Sequence, residues 1–217
     1  MYEIRTTKVR SWTLTLIFLN IIIYFITLFF PFLKEMFALT PDYITKPWIL
    51  ITHMFIHYDF FHLFFNMYAL FLFGTFLEAK IGSRRFLIVY FTSGLVAALI
   101  TGNIYKSAIG ASAAIMGVIG ALIVIYPDLQ LLFFFVIPMS LRTAGIIWFL
   151  LDLLGAFTPS SVGNLAHIIG MATGLALGFY FVKKRNKFRK KFKKTGNFMN
   201  KRYITIDDYE VYSKNEF

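Results

Sequence analysis

The sequence of 217 residues is too apolar for a soluble globular protein: 58% of its residues are hydrophobic and only 15% are charged, whereas globular domains are about 45–50% apolar and about 25% charged. This composition excludes a disordered chain and a soluble nucleic-acid-binding domain, and it indicates a membrane protein. The absence of cysteine excludes disulfides, thiolate metal sites and a cysteine nucleophile.

The net charge of +11 comes from one segment near the C-terminus. Lys183 to Arg202 contains eleven of the 22 basic residues and no acidic residue, so the rest of the chain is balanced in charge. A basic segment directly after an apolar one is typical of a cytoplasmic tail beside anionic lipid, and a nucleic-acid-binding arm is the alternative. We expect an anionic lipid surface, and no nucleic acid, as the partner of this segment.

Six segments are long and apolar enough to predict transmembrane helices, which need about 20 apolar residues each. The predicted spans are Trp12–Leu33, Phe61–Ala79, Phe86–Tyr105, Ser112–Tyr126, Leu141–Phe157 and Gly163–Val182. The predicted fold is an all-α bundle of six transmembrane helices. Residues 1–11 form its N-terminal segment, residues 12–182 the membrane domain and residues 183–217 a basic tail.

Basic residues are distributed unequally between alternate loops. One set of loops, together with both termini, holds nineteen Lys and Arg residues, and the other set holds only Lys34, Lys46 and Lys106. Because positively charged loops stay in the cytoplasm, we expect both termini to be cytoplasmic. An even number of spans agrees with this orientation, and we expect the protein in the cell membrane.

Two apolar segments are interrupted by prolines. Thr27 to His62 contains three prolines and forms a long first loop, which we expect at the membrane interface. Tyr126 to Pro138 predicts a hairpin that dips into the cytoplasmic interface, and a longer fifth helix is the alternative.

The first cluster of polar residues in apolar surroundings consists of His53, His57, His62 and Asn66. His62 and Asn66 are four residues apart and share one face at the start of the second span. We interpret His53 and His57 as hydrogen-bonded packing residues. A zinc site is the alternative because HxxxH can bind zinc, although no glutamate flanks either histidine as a general base and Asp59 is the one nearby carboxylate.

Ser112 lies in a run of small residues that Gly117 and Gly120 extend, a pattern more typical of helix packing than of a site. The helix from Ser112 to Tyr126 would be roughly 22 Å long, shorter than the ~30 Å hydrocarbon core. One end of this helix must therefore stop inside the membrane, below a cavity that water can enter.

His167 opens the last span and precedes Gly170, Gly174 and Gly178, whose spacing predicts close contact with a neighbouring helix backbone. With the N-terminus inside, the second, fourth and sixth spans all begin at the outer face. Asn66, Ser112 and His167 lie in or near their first turns, so we expect the three side chains to converge at one depth and to form a site.

Four sequence elements resemble the rhomboid family of intramembrane serine proteases. They are His53, His57, His62 and Asn66; Gly110 to Ser112 with Gly117; Ala166 and His167 with Gly170 and Gly174; and Phe73 and Gly74 with Glu78 and Gly82. The resemblance covers residues 48 to 178. It implies a rhomboid-like bundle that hydrolyses peptide bonds in or near the transmembrane segments of protein substrates, with no cofactor and no metal.

The resemblance also implies a role for each site residue. Ser112 is the nucleophile and His167 its general base, in a dyad without a third acidic partner. His62, Asn66 and the Ser112 backbone N–H would donate hydrogen bonds to the oxyanion. Thr158–Val162 would cap the site, and the fifth span would be the gate for substrate helices.

The sequence departs from the family pattern at three positions. The family usually has glycine after the serine, where this chain has Ala113, and many members carry an aromatic residue at the position of Met116. The Trp-Arg pair of the first loop is Trp48-Ile49 here. The alanine adds a methyl group beside the nucleophile and leaves the nucleophile in place.

Two other functions remain open. A rhomboid-like protein without proteolysis would bind membrane clients, but such relatives typically lack the serine or the histidine. A transporter would show inverted repeats or broken helices with paired acids, and Asp152 is the one mid-span carboxylate. We expect Asp152 to cap a helix or to form a hydrogen bond within the bundle near the cytoplasmic half of the fifth span, and the sequence assigns it no function.

Overall fold

The computed structural model describes residues 11–133, 137–157 and 163–194. Helices account for most of the described residues. They are α1 (Trp12–Phe29), α2 (Phe32–Phe37), α3 (Ile49–Thr52), α4 (Phe60–Ala69), α5 (Thr75–Ile81), α6 (Ser83–Thr101), α7 (Ser112–Ile125), α8 (Leu141–Gly155) and α9 (Asn164–Lys194), with strands β1 (Gln130–Phe133) and β2 (Ile137–Ser140). A π-turn over Leu70–Gly74 joins α4 to α5 in one continuous rod.

Within the described residues, four helices are long and apolar enough to cross a membrane. They are Trp12–Phe29, Phe60–Ile81, Ser83–Thr101 and Asn164–Phe188. This confirms the prediction of a mainly helical membrane protein. The other two predicted spans correspond to α7, with 14 residues, and α8, with 15, so the count of six spans stays a prediction.

Several helix ends differ from the predicted span ends, for local reasons. The first helix ends at Phe29 and not at Leu33, because Pro31 lacks the N–H that would continue it. The third predicted span begins three residues early, at Ser83, directly after Gly82, whose φ of 81° ends the preceding helix. It also stops at Thr101, before the predicted end at Tyr105.

The last helix continues beyond the predicted end of the span at Val182. Helix α9 runs to Lys194, so the first part of the predicted basic tail is helical. Lysine and arginine are good helix formers, and neither glycine nor proline occurs between Gly178 and Lys194. The remainder of the tail and residues 1–10 lie outside the described residues.

The proline-interrupted segment after α7 forms an antiparallel hairpin. Strand β1 pairs with β2 in a register that places Gln130 opposite Ser140, and α8 begins directly after it, with the Ser140 side chain accepting a hydrogen bond from the Thr143 N–H. The predicted hairpin is therefore confirmed, and the alternative of a longer fifth helix is wrong. The position of the hairpin at the cytoplasmic interface stays a prediction. The first loop folds into α2, α3 and two short 3₁₀ turns.

Helix α7 lies at the centre of the bundle and contacts α9 backbone to backbone. A Cβ atom built on Gly170 would overlap the backbone of Ala113, and one built on Gly174 would overlap the backbone of Gly117. On the α7 side, Gly120 faces the backbone of Met171 in the same way. The predicted close contact through the glycines of the last span is confirmed, and we call it the α7–α9 seam.

Helix α8 lies at the edge of the bundle. Only four of its residues are buried: Leu141, Ala144, Gly145 and Asp152. Its other apolar side chains face outward, including Leu151 at 60% and Leu154 at 68% exposure. An apolar surface of this size is typical of a helix that faces lipid or another protein, and the crossing of the membrane by α8 stays a prediction.

Candidate active site

Ser112 is the first residue of α7, and the chain before it is held by the first loop. Leu39 and Ala108 exchange two backbone hydrogen bonds of 2.9 Å, and the Gly110 N–H donates to the His53 carbonyl at 2.9 Å. Gly110 has a φ of 119°, which favours glycine. These contacts fix the position at which the serine enters the helix.

The N-terminus of α7 is buried and has no side-chain cap. Its N-cap residue is Ala111, which is fully buried. The first N–H groups of a helix have no acceptor within the helix, and a buried helix end without a cap leaves them free for another acceptor. The positive end of the helix dipole adds to this preference for negative charge.

His167 lies in the first turn of α9, and the structure brings its ring to Ser112. The distance from His167 Nε2 to Ser112 Oγ is 2.8 Å, although the two residues are 55 positions apart. The α7–α9 seam begins one turn further along, where Gly170 packs on Ala113. The close contact of the two helix backbones is what brings the two side chains within hydrogen-bond distance.

A carboxylate contacts the same histidine, contrary to the expected dyad without an acidic partner. Asp152 Oδ1 lies 3.0 Å from His167 Nδ1, and both side chains are nearly buried. Asp152 is eleven residues beyond the start of α8, about 16 Å along the axis, at the level where α7 and α9 begin. If α8 begins at the cytoplasmic face, this level is the outer half of the span and not the expected cytoplasmic half; the orientation itself stays a prediction.

The predicted topology could have indicated from the sequence that Asp152 contacts His167. If α8 begins at the cytoplasmic face, its last turns reach the depth at which α7 and α9 begin. A buried carboxylate in those turns needs a hydrogen-bonding partner, and His167 is an ionisable group at that depth. The approach of α8 to α9 at this level is visible also at Gly155, which packs against the Asn164 side chain.

His62 lies beside Gly110. A Cβ atom on Gly110 would come within 2.8 Å of His62 Nε2, so the glycine makes room for the ring. The Tyr58 N–H donates to His62 Nδ1 at 3.4 Å. That hydrogen bond leaves the proton of a neutral ring on Nε2, which then presents an N–H group towards Gly110.

Asn66 is buried one turn below His62 on the same helix face, as predicted. Its side-chain Nδ2 donates to the His62 carbonyl at 2.8 Å, which occupies one of the two amide protons. Asp59 caps this helix by accepting from the His62 N–H at 2.8 Å. Asp59 therefore orients the helix that carries both residues.

His53 and His57 are buried in the loop before α4. His53 Nδ1 donates to the Ile49 carbonyl at 2.8 Å, and burial lowers the pKa of His53 from 6.5 to about 4. Burial, and secondarily the neighbouring His62, lower the pKa of His57 to about 3. Both rings are therefore neutral at pH 7.

The residues considered for a zinc site do not converge. The His57 and His62 rings meet edge to face, with centroids 5.0 Å apart, and His53 is bonded to its own helix. Among the residues that the structure describes, no group of three histidine, aspartate or glutamate side chains is placed to share a metal ion. The donor set does not fit a zinc site.

Glu78 acts in the packing of the bundle. Its carboxylate accepts hydrogen bonds from the backbone N–H groups of Trp12 and Thr13 and from the hydroxyl groups of Ser11, Thr13 and Ser83. It thereby ties the start of α1 to the turn between α5 and α6. The loop Thr158–Val162, which was expected to cap the site, lies outside the described residues.

The three positions that depart from the family pattern differ in burial. Ala113 is buried, and its backbone contacts Gly170 in the seam. Met116 is partly buried and packs against the main hydrophobic core. Trp48, in the first loop, is 47% exposed.

Comparison with known proteins gives a family match over the part of the chain that contains these residues. A model of the Rhomboid domain matches residues 45–184. The chain is 32% identical over 143 residues to the rhomboid protein YdcA of Bacillus subtilis (64% of this chain, 70% of YdcA). It is 30% identical over 143 residues to rhomboid protease GlpG of Haemophilus influenzae (62% and 70%).

A third relative, rhomboid protease GluP of Bacillus subtilis, is 36% identical over 137 residues, which are 58% of this chain and 24% of GluP. The chain therefore spans most of the length of two of these relatives and about a quarter of the third.

Proposed function

The chain belongs to the rhomboid family, and on that premise we propose that it is an intramembrane serine protease. Its substrates are membrane proteins, and it hydrolyses peptide bonds in or near their transmembrane segments. The observation that carries the proposal is the 2.8 Å distance between Ser112 Oγ and His167 Nε2. A serine hydroxyl becomes a useful nucleophile only when a base within hydrogen-bond distance takes its proton.

The reaction proceeds in two halves. His167 Nε2 accepts the Ser112 hydroxyl proton while Oγ attacks the substrate carbonyl carbon. The protonated histidine then donates to the leaving amine, and the peptide C–N bond breaks, which leaves an acyl-serine. Water repeats the sequence: His167 takes its proton, the hydroxide attacks the acyl carbon, and Ser112 leaves with the proton.

The negative oxygen of each tetrahedral intermediate needs preorganised donors. The uncapped N-terminus of α7 supplies the Ser112 N–H, and His62 supplies the Nε2–H that faces Gly110. Asn66 contributes the amide proton that is not bonded to the His62 carbonyl. Donors of this kind each contribute about 10²–10³ to the catalytic rate in serine proteases.

Substrate access follows from the unequal packing of the helices. Helix α8 lies at the edge of the bundle and buries only four of its fifteen residues, so little packing opposes its movement away from α7 and α9. We assign it as the gate through which a substrate helix reaches Ser112. The short α7 leaves room on the outer side for the water that the second half of the reaction consumes.

We propose a cell-membrane location with both termini in the cytoplasm. The basic residues at the end of α9, among them the exposed Lys183, Lys184 and Lys187, then face the anionic headgroups of the inner leaflet. A reporter fused after Phe217 should read as cytoplasmic, and one inserted near Asp42 as external. Signals from the same side would contradict this orientation.

The decisive experiment is cleavage of a model transmembrane substrate by the purified, reconstituted protein. Ser112→Ala and His167→Ala should each abolish cleavage, and the double variant should be no worse, because residues that act as a unit are not additive. Ser107→Ala, at an exposed serine of the loop before the site, is the matched control and should cleave normally. Turnover by Ser112→Ala would exclude the assignment, whereas substrate binding without cleavage by the unmodified protein would favour the client-binding alternative.

A further inference from the structure

The outer half of α8 carries one buried side chain, and that side chain is charged. Beyond Gly145 the residues of α8 are exposed or half-buried except for Asp152, which is 8% exposed. A carboxylate on an otherwise lipid-facing stretch is costly unless it is paired. Its contact is with His167, at 3.0 Å.

The two hydrogen bonds of His167 define one tautomer of its ring. An ionised carboxylate can only accept, so Nδ1 carries the proton that Asp152 receives. Nε2 of the neutral ring is then the lone-pair nitrogen, and it faces the Ser112 hydroxyl at 2.8 Å. Without an acceptor at Nδ1, the ring is free to rotate or to place its proton on Nε2, where the ring cannot act as a base.

We propose that Asp152 is the third member of a Ser112–His167–Asp152 triad and acts as a positioning residue. The inference rests on the proposed protease function and deepens it. Asp152 holds His167 in the productive tautomer and stabilises the imidazolium that forms after proton transfer, while the carboxylate itself stays ionised.

The triad draws its members from two parts of the molecule that differ in how firmly they are held. Ser112 and His167 lie at the end of the glycine seam, where helix backbones are in contact. Asp152 lies on the edge helix that we assign as the gate. Activation of the serine is therefore coupled to the position of α8: the base is fully oriented when α8 is docked and loses its acceptor when α8 swings outward.

The test uses Asp152→Asn in the full-length reconstituted protein. Asparagine keeps the shape but can present its NH₂ group to Nδ1, which favours the wrong tautomer. We expect kcat to fall by about 10²–10⁴-fold, by analogy with the loss of triad carboxylates in soluble enzymes, with KM changed little. The rate at which a fluorophosphonate probe labels Ser112 should fall in parallel, because labelling needs the same proton transfer and no substrate helix.

Leu151→Asn is the matched control, because it places the same amide one position earlier on the exposed face of α8. It should retain both cleavage and labelling. Thermal unfolding establishes that each variant is folded, and Asp152→Ala is a second variant that removes the carboxylate with a strong helix former. If neither Asp152 variant folds, the residue acts in folding and the proposal is wrong.

The outcomes separate this inference from the proposed function. Unchanged kcat in folded Asp152→Asn, with cleavage still lost in Ser112→Ala, overturns the triad and leaves the protease. Labelling of Ser112 that depends on Asp152, without cleavage of any substrate, supports the triad and counts against the protease. Absence of both cleavage and labelling in the unmodified protein overturns both.

Discussion

The α7–α9 seam and helix α8 meet at His167, but they are held by opposite means. In the seam, glycines bring two backbones into direct contact, and α7 has hardly an exposed residue. Helix α8 runs past the same site with a face of exposed leucines and isoleucines and one exposed phenylalanine. Backbone contact leaves no side chains that can repack, whereas a lipid-facing helix exchanges one apolar surface for another when it moves.

This difference indicates how a protease inside a membrane reconciles precision with access. A nucleophile and its base must stay within a few tenths of an ångström, which requires rigid elements. A substrate helix must enter from the side, which requires one element that moves. The Ser112–His167 contact lies on the first kind of element, and in the proposed mechanism the substrate entrance lies on the second.

The largest effect should come from disrupting the seam. Gly174→Leu puts a side chain where the backbone of Gly117 lies, so α7 and α9 must separate. We expect a loss of stability of at least about 1–3 kcal/mol, the usual result of overpacking, and loss of cleavage. Ala172→Leu, on the exposed side of α9, is the control; equal thermal unfolding of both variants would contradict the importance of the seam.

Acid should weaken the first loop that supports the seam. His53 and His57 have folded pKa values of about 4 and about 3, below the unfolded value of 6.5. Between these pKa values the unfolded chain binds more protons than the folded chain does. The free energy of unfolding therefore falls as the pH drops below about 6.5, by roughly 1.4 kcal/mol per histidine and pH unit.

The measurement is thermal unfolding of the unmodified protein and of His57→Asn between pH 7 and pH 4.5. The variant should show the shallower dependence on pH, because one of the two buried rings is absent. Identical slopes would show that His57 is not buried as a neutral ring.

Gly110→Ala should have a smaller effect that is confined to the site. Its φ of 119° is strained for alanine by about 1–2 kcal/mol, and the new Cβ atom meets His62 Nε2 at 2.8 Å. We expect the cleavage rate to fall about tenfold or more while substrate binding is retained. Gly163→Ala has room, with its nearest neighbour at 3.8 Å, and should be near normal in the same assay.

Weakening the packing of α8 against the bundle should have the smallest effect. It should raise the cleavage activity, whereas the preceding changes lower activity or stability. Trp148 packs edge-on against Phe73 with ring centroids 6.1 Å apart, which ties α8 to the span that contains α4 and α5. An aromatic pair contributes about 0.5–1.5 kcal/mol, so Trp148→Ala should raise kcat/KM for a transmembrane substrate by roughly 2- to 12-fold.

Labelling of Ser112 by the fluorophosphonate probe should stay unchanged in Trp148→Ala, because the docked position still holds Asp152 against His167. Phe149→Ala, at an exposed aromatic residue of the same helix, serves as the control. A loss of labelling in Trp148→Ala would mean that α8 and the seam are not separable units.

The long helices, their closest contact and the pairing of Ser112 with His167 could be predicted from residue patterns in the sequence. The apolar segments predict the four long helices, and the spacing of Gly170 and Gly174 predicts the backbone contact of α9 because the rule depends on local periodicity alone. The convergence of Ser112 with His167 followed from span order and helix length. Asp152 was misplaced because a single carboxylate in an apolar helix has no spacing pattern that identifies its partner.

Local chemistry by itself determined which segments are helical and apolar, and which residue types can act as nucleophile, base and donor. Burial, helix propensity and charge are properties of neighbouring residues, so they are encoded along the chain. Only the tertiary structure decided that the ring of His167 lies between Ser112 Oγ and Asp152 Oδ1. That arrangement depends on the rotation and tilt of α8 against the seam, which are set by packing between helices distant in sequence.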